Sequence, residues 1–302
     1  MLTLPIHRQL PFVRLQRYFF ALSLLAVVGV LIAIWKIGIN FGIDFVGGIK
    51  LTVAIAQETT DGAVTEALAN GAIEGSVQRL GNPAEHRFLV KLRQPEGDAT
   101  QFVDSAVAAL RASFGAEAVV LEGQEAVGPR VGRELLRKGQ AAILFTLIAL
   151  LIYVGFRFDF YFAPGAIVAL FHDVLIATGA LVVVGREFDL TILAALLTIV
   201  GFSINDTIVI YDRIREHGRE ITPETINTVV DRALNDTLSR TIITSLTVLF
   251  VVVILYFATD GVIQNFAYSF IFGVIAGTYS SLFIATPIYL WLYRRFPQWR
   301  KA

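Results

Sequence analysis

Cysteine is absent from all 302 residues, which excludes disulfides, thiolate catalysis and cysteine-based metal sites. Charged side chains are also scarce, at 17% of the chain, where an average soluble domain has about 25%. Basic and acidic residues balance to a formal net charge of zero, so charge gives no reason to expect a nucleic-acid partner. The four histidines show no metal-binding spacing, and no nucleotide-binding glycine motif occurs. An enzyme is therefore the weakest interpretation, and we expect neither a cofactor nor a metal.

Apolar residues make up 55% of the chain, and the mean hydropathy is +0.66. A helix needs about 20 mostly apolar residues to cross the ~30 Å hydrocarbon core of a bilayer. The first such stretch follows basic residues, as a signal peptide does, but it is too long and lacks a small-residue cleavage site. We therefore expect six permanent membrane helices, which fall in Tyr18–Trp35, Gly139–Phe156, Asp159–Arg186, Leu190–Tyr211, Thr241–Thr259 and Gly261–Tyr293.

Basic residues in short loops are enriched on the cytoplasmic side of a membrane. With a cytoplasmic N-terminus, that side holds Arg8, Arg14, Arg17, Arg157, Arg213, Arg215, Arg219, Arg232, Arg240, Arg294, Arg295, Arg300 and Lys301. The short segments on the other side hold only Lys36 and Arg186. The asymmetry predicts an inner-membrane protein with both termini in the cytoplasm. Its segments are a cytoplasmic stretch 1–17, a first membrane helix 18–38, a periplasmic domain 40–137, and a five-helix region 138–302 with a cytoplasmic loop 212–240.

The periplasmic stretch returns to the composition of a soluble domain. Strands rich in β-branched residues are predicted over Ile49–Ala56, Gly75–Leu80, Arg87–Leu92 and Ala118–Glu122, and amphipathic helices over Asp61–Asn70 and Ala99–Phe114. The order β-α-β-β-α-β is that of the ferredoxin-like α+β fold. No catalytic constellation is visible in this domain, so we expect it to bind or to transmit motion.

Asp206 lies six residues from Asp212, or about 9 Å along the helix axis, which is too deep for its side chain to reach the membrane surface. A charge at such a depth costs about 2.5–3.5 kcal/mol on insertion scales, so it indicates function. Ser203, Asn205 and Thr207 surround it with polar groups. We interpret Asp206 as a carrier of protons; sodium coupling and a purely structural hydrogen bond remain alternatives.

His172 and Asp173 lie midway along the third predicted span, and Asp173 is a second candidate for proton binding. Neighbours on a helix point about 100° apart, so the two need not bind each other. Arg240 begins the fifth span, with Thr244 and Thr247 following at helical spacing. By position alone, an arginine at a cytoplasmic helix end is most often an orientation signal.

Two glycine-rich segments join the periplasmic domain to the membrane helices. The first contains Gly42, Asp44, Gly47 and Gly48, and the second contains Gly128 and Gly132. They are either plain linkers or hinges that pass helix motion to the domain.

Small residues recur every fourth position in the sixth span, which predicts a face for close helix packing. They are Ser269, Gly273, Gly277 and Ser281. In the cytoplasmic loop, Thr222 and Pro223 predict the start of an amphipathic helix. Its apolar face is typical of a helix lying on the membrane surface; contact with another protein is the alternative.

Several of these segments carry a family resemblance. Phe41-Gly-Ile-Asp-Phe-Val-Gly-Gly48 and Gly201-Phe-Ser-Ile-Asn-Asp-Thr-Ile-Val-Ile-Tyr-Asp-Arg-Ile-Arg-Glu216 resemble the signatures of the SecD/SecF family in the RND superfamily. The pair His172-Asp173 and the stretch Leu238-Ser-Arg-Thr-Ile242 are similar to the SecF branch. The SecD branch carries its acid one position earlier, where this chain has Asn205.

The resemblance implies a role in Sec-dependent protein export across the inner membrane, driven by the proton motive force. It implies an obligate SecD partner that supplies the other six helices of a twelve-helix unit. The SecYEG translocon, the exported preprotein and protons are further expected partners, and YajC and YidC are additional candidates. It also implies that Arg240 acts with Asp206 in proton conduction. A small-molecule exporter and a non-conducting structural partner of SecD remain the rival hypotheses.

Overall fold

The computed structural model describes residues 9–81, 83–92, 99–158 and 161–296. Of the residues singled out above, Arg8, Asp159, Arg300 and Lys301 lie outside these ranges, as does the side chain of Arg219.

The described elements are, in chain order, α1 (Phe12–Ile37), α2 (Ile43–Val46), β1 (Gly48–Ile55), α3 (Asp61–Asn70), β2 (Gly75–Leu80), β3 (Arg87–Leu92), α4 (Ala99–Phe114), β4 (Val119–Val127), α5 (Pro129–Arg157), α6 (Phe162–Val184), α7 (Leu190–Glu216), α8 (Ile226–Ala258), α9 (Gly261–Ser280) and α10 (Thr286–Arg295). A π-helical turn, Ser281–Ala285, joins α9 to α10. Among the described residues, six helical stretches are long and apolar enough to cross a membrane, namely α1, α5, α6, α7, α8 and the continuous stretch from α9 to α10. The prediction of six spans is confirmed.

The four strands form an antiparallel sheet in the order β2-β3-β1-β4, which is the ferredoxin-like arrangement that the sequence predicts. Alternate apolar side chains of β1 and β3 point to one face, where α3 and α4 cover them. The bounds of α3, β2, β3 and α4 are as predicted. Strand β4 runs five residues beyond its predicted end. The sequence does not predict this extension, because residues 123–127 of this edge strand show no apolar alternation.

The opposite face of the sheet is charged and faces the membrane helices. Lys91 of β3 and Lys50 of β1 lie 2.6 and 3.9 Å from Glu187, in the loop between α6 and α7. Lys50 is only 7% exposed, so Glu187 gives this buried ammonium group an opposite charge close by. Beside them, burial raises the pKa of the Asp189 carboxyl above its ordinary value. Ion pairs thus dock the ferredoxin-like domain onto the adjacent ends of the membrane helices.

The first glycine-rich segment is hydrogen-bonded to the start of α7. Phe188 N donates to the Asn40 carbonyl over 2.7 Å, and Gly42 N donates to the Phe188 carbonyl over 2.9 Å. The backbone N–H of Leu190, at the start of α7, has no acceptor within the helix and donates to the Asp44 carboxylate over 3.0 Å. The negative charge of Asp44 also complements the dipole at this end of the helix. The segment is therefore a fixed tether between α7 and β1.

The second segment is helical. Pro129 occupies the first position of α5, so β4 passes into the membrane helix with only Gly128 between them.

The glycines of the two segments have different structural roles. Gly47 and Gly48 of the first segment have φ of +79° and +149°, which other residues rarely adopt. A Cβ on Gly132 would lie 2.9 Å from the Phe45 carbonyl, so this glycine permits α5 to pack against α2. In the conformation described, Gly132 serves close packing, Gly47 and Gly48 supply unusual backbone angles, and Gly128 has open space around it. Hinge motion stays a prediction.

Helix α8 begins at Ile226, later than the predicted start at Thr222, because Thr222 Oγ1 instead accepts from the N–H of Thr225 in a turn before the helix. The amphipathic stretch is continuous with the fifth span. Its apolar residues are buried in the protein core, so the predicted surface location on the membrane is wrong. Asp231 on α8 also caps α1, accepting from Val13 N over 2.8 Å.

The packing of α5 against α2 predicts that Gly132→Ala lowers stability. The added methyl group would overlap backbone atoms that cannot move away, and overpacking typically costs about 1–3 kcal/mol. Gly155→Ala is a matched control on the same helix, since nothing lies within 4 Å of its position. Thermal unfolding in detergent should show a lower midpoint for Gly132→Ala only; equal midpoints would contradict the packing account.

Candidate functional site

Asp206 lies on the inner face of α7 and is 1% exposed. Among the described residues, no hydrogen-bond donor reaches its buried Oδ2 atom. The predicted polar neighbours do not serve it: the Ser203 hydroxyl bonds elsewhere, Thr207 donates to its own helix backbone, and Asn205 is exposed on another face. A buried carboxylate oxygen without a partner is costly, which favours a group that binds a proton or a cation.

Arg240 lies on α8 and is exposed. Its charge acts on Asp206, yet no salt bridge joins the two within the described part of the chain. The pair is therefore close enough to interact electrostatically and is open in this conformation.

Thr244 and Thr247 do not extend this pair towards the bundle centre. Their hydroxyls bond to carbonyls of their own helix, including those of Arg240 and Ile243. The inward polar residues of α8 are instead Thr241 and Ser245, both at most 7% exposed. Ser245 accepts a hydrogen bond from Thr278 of α9 at 2.7 Å.

Contacts with α9 place Thr241 at nearly the depth of Asp206. A Cβ on Gly277 would lie 2.9 Å from the Ser203 Cβ, and the next residue, Thr278, bonds to Ser245. On α7, Asp206 is three residues from Ser203, which puts it about 4.5 Å nearer the predicted cytoplasm. On α8, Thr241 is four residues from Ser245, which puts it about 6 Å nearer the same side. Thr241 Oγ1 is also buried without a partner among the described residues. Two uncompensated polar atoms thus share one layer of the membrane.

Asp173 of α6 is completely buried and fully hydrogen-bonded. The Ser203 hydroxyl of α7 donates to Asp173 Oδ2 over 2.5 Å, and the Ser280 hydroxyl of α9 donates to the same oxygen over 2.8 Å. His172 Nδ1 lies 2.9 Å from Oδ1, so the adjacent side chains do meet. One carboxylate therefore joins three membrane helices, and it meets α7 less than one turn from Asp206.

The predicted stripe of small residues lies on the face of α9 that meets α7. Gly273 leaves no space for a side chain because Ile199 fills it, and Gly277 is closed off in the same way by Ser203. The Ser281 hydroxyl donates to the Thr278 carbonyl, and Ser269 is fully buried. The stripe allows the backbones of α7 and α9 to approach closely.

Four polar residues of this region were missed at the level of sequence: Gln16, Thr241, Ser245 and Ser280. Gln16 is 4% exposed and donates to Thr286 Oγ1 over 2.6 Å beside the π-helical turn. The available signal was the polarity of each residue inside an apolar stretch, but that pattern does not indicate which helix supplies the partner.

The molecule is a polytopic membrane protein with a ferredoxin-like domain after its first span and buried carboxyl groups on two central helices. The family described as "Protein export membrane protein SecD/SecF, C-terminal" matches residues 106–295, and the "SecD/SecF GG Motif" matches residues 32–58. The chain therefore belongs to the SecD/SecF family of protein export membrane proteins.

Relatives named "Protein translocase subunit SecF" support the SecF branch. The chain is 39% identical to that of Desulfurispirillum indicum, covering 92% of this chain and 90% of the relative. It is 42% identical to that of Magnetococcus marinus, covering 88% and 86%. The crystal structure of SecDF from Thermus thermophilus, a translocon-associated membrane protein, matches with a TM-score of 0.86 and 33% identity over 97% of this chain. SecDF in a super-membrane-facing form matches with a TM-score of 0.70 at 34% identity over 99% of this chain. The chain spans 40% of each SecDF chain.

The network around Asp173 predicts that Ser280→Ala destabilises the helix bundle. Removing one donor from a buried carboxylate costs about 1–3 kcal/mol. Ser281→Ala is the matched control, because the neighbouring hydroxyl is equally buried but bonds only to a carbonyl in its own helical stretch. Chemical or thermal denaturation in detergent should separate the two variants, and equal losses of stability would show that the carboxylate does not depend on Ser280.

Proposed function

We propose that this chain is the SecF-type half of a SecD–SecF motor that assists Sec-dependent protein export by a cycle driven by the proton motive force. The observation that carries the proposal is the Asp206 carboxyl, buried in the membrane layer with an unpartnered oxygen near an arginine that does not bond to it. The relatives named as SecF translocase subunits support the export role. The match to less than half of each SecDF chain supports a SecD-type partner.

The proposed orientation puts both termini and the loop between α7 and α8 in the cytoplasm of the cell that carries the protein in its inner membrane. The ferredoxin-like domain then lies in the periplasm, where an exported polypeptide emerges. The distribution of arginine between the two ends of the spans supports this orientation. SecYEG, the preprotein, YajC and YidC are further proposed partners, and their proposal rests on the resemblance to the SecD/SecF family.

In the proposed cycle, a proton from the periplasm neutralises Asp206. Loss of the negative charge removes its attraction to Arg240, and α7 and α8 then move relative to each other. One charge crossing a potential of 100 mV releases about 2.3 kcal/mol, so several protons would drive each working cycle. Thr241 is buried at nearly the same depth with an unpartnered hydroxyl, which supports a proposed role in accepting or relaying a hydrogen bond as the carboxyl changes its charge.

Helix α7 connects this event to the periplasmic domain. Asp206 is 16 residues from Leu190, or about 24 Å along the axis. At Leu190 the helix is held by Asp44 of the glycine-rich tether, which leads through α2 into β1. A shift of α7 along its axis would therefore pull on the central strand of the outer sheet. A proton role for Asp173 and His172 stays a prediction; their bonds suit them to hold α7 in register with α6 and α9.

Export of a secretory precursor into inverted membrane vesicles tests this proposal. The chain would be co-produced with its SecD-type partner, and export would be measured with and without a proton gradient. Asp206→Asn should abolish the stimulation by the gradient, because an amide cannot bind and release a proton at this site. Asp212→Asn should retain it, since this acid lies six residues away at the exposed end of α7, 3.6 Å from Arg157.

Equal export by wild type and Asp206→Asn would contradict the motor and favour a structural partner of SecD. Loss of small-molecule resistance without an effect on precursor export would favour an exporter instead.

Arg240→Gln should also remove the stimulation by the gradient, because no cation would then respond to the charge of Asp206. The control is Arg232→Gln on the same helix, whose guanidinium is paired with Glu220 at 2.9 Å on the exposed surface. A surface ion pair of this kind contributes less than about 1 kcal/mol, so the control should keep at least most of its activity. If both variants behave alike, Arg240 is an orientation signal only.

A further inference from the structure

A groove of about 860 Å³ lies between α1 and α10, at the end of the bundle proposed to face the cytoplasm. Its floor and walls are mostly apolar, formed by bulky side chains that include Phe20, Leu290 and Trp291. Its volume is within the range of about 300–1,000 Å³ that is typical of sites for small molecules. Helix α1 is otherwise exposed along almost its whole length, with 6% of its most apolar window buried.

Three arginines line this groove, and no acidic residue does: Arg17 on α1, and Arg294 and Arg295 on α10. None of the three makes a salt bridge within the described part of the chain. Arg17 contacts the ring and hydroxyl of Tyr18, Arg294 donates to Asn227, and Arg295 lies over Phe296. Each guanidinium is exposed and keeps donors free for a further partner.

We propose that this groove binds the anionic phospholipid of the cytoplasmic leaflet, with the phosphate on the three arginines and an acyl chain on the apolar wall. A guanidinium fork matches the oxygens of a phosphate, and basic pockets between membrane helices at the cytoplasmic side are suited to such headgroups. Trp291 is 61% exposed at the same level, as is usual for tryptophan at a membrane–water boundary. The depth rests on the orientation proposed above.

The lining argues against a membrane helix of another protein as the occupant. Close packing of helices in lipid uses small residues, as Gly273 and Gly277 do between α9 and α7. The groove presents phenylalanine, isoleucine, leucine and tryptophan side chains, whose irregular surface suits a flexible hydrocarbon chain.

A bound lipid would stabilise the contact between α1 and α10. Gln16 lines the groove, and its side chain donates to Thr286 at the start of α10 and to the Leu282 carbonyl in the π-helical turn. These bonds, together with the end of α1 that Asp231 caps, hold the first helix to the bundle. The lipid would add a phosphate bridge from Arg17 to Arg294 and Arg295.

Quenching of Trp291 by brominated lipids tests the site directly. The chain has three tryptophans, so Trp35→Phe and Trp299→Phe leave Trp291 as the only one. The full chain in phosphatidylcholine nanodiscs would receive increasing fractions of phosphatidylglycerol or phosphatidylcholine with brominated tails. We expect quenching by phosphatidylglycerol at a mole fraction at least tenfold lower, because each arginine contributes a preference of roughly fivefold.

In the triple groove variant, Arg17→Gln, Arg294→Gln, Arg295→Gln, the two lipids should quench Trp291 at equal mole fractions. The control variant removes the same charge outside the groove, by Arg14→Gln, Arg215→Gln, Arg232→Gln. It should keep the preference for quenching by phosphatidylglycerol. If the triple groove variant does not fold, Arg294→Gln alone should lose roughly fivefold. Added inorganic phosphate should leave the quenching unchanged.

Equal quenching by both lipids in the parent protein would overturn the proposal, as would a preference kept by the groove variant. Displacement of phosphatidylglycerol by inorganic phosphate would point to a soluble anion site. Quenching that is lost on adding the SecD-type partner would assign the groove to a protein contact. None of these outcomes depends on export, so the proposed function can fail while the lipid site stands, and the reverse.

Discussion

The Asp173 carboxylate holds α6, α7 and α9 together at one point in the membrane. A buried charge is tolerated in hydrocarbon only when its lone pairs are satisfied, and Ser203, Ser280 and His172 satisfy them. The close approach of α7 and α9 that these bonds require is possible because glycines line the facing side of α9. This arrangement fixes the rotation of α7, and so it fixes where Asp206 points. Asp206, three residues beyond Ser203 on α7, is left with a buried oxygen that lacks a partner among the described residues. The contrast between the two acids supports the proposal that Asp206 binds a proton, whereas the bonds of Asp173 suit it to hold the three helices together.

The same helix, α7, also carries the connection to the ferredoxin-like domain. Asp189 and Asp44 occupy the N-terminal end of α7, where each accepts a backbone N–H. Asp44 belongs to the tether that enters β1, and Glu187 just before α7 pairs with lysines on the open face of the sheet. The ferredoxin-like domain is thus attached to the start of α7 by both backbone bonds and ion pairs. A displacement of α7 has a direct mechanical route to the sheet, whereas flexible linkers would absorb it.

The sequence predicts the large-scale structure well because hydropathy and alternation are strong, local signals. Six spans, the ferredoxin-like order and the buried position of Asp206 all follow from them. The partners of each polar group were not predictable, since Ser280 meets Asp173 across 107 residues of chain. Thr244 and Thr247 have helical spacing from Arg240, but Arg240 faces outward, so the inward positions belong to Thr241 and Ser245. The apolar face of the stretch after Ile226 suits protein or lipid equally, and only the tertiary structure distinguishes the two.

The central claim is that the Asp206 carboxyl changes its protonation state. Infrared difference spectroscopy of the complex with its SecD-type partner, recorded as the pH is stepped, measures carboxyl protonation directly. The account predicts a carboxylic-acid carbonyl band that appears on acidification, disappears in Asp206→Asn and persists in Asp173→Asn. A band that survives in Asp206→Asn, or that is lost in Asp173→Asn alone, would contradict it.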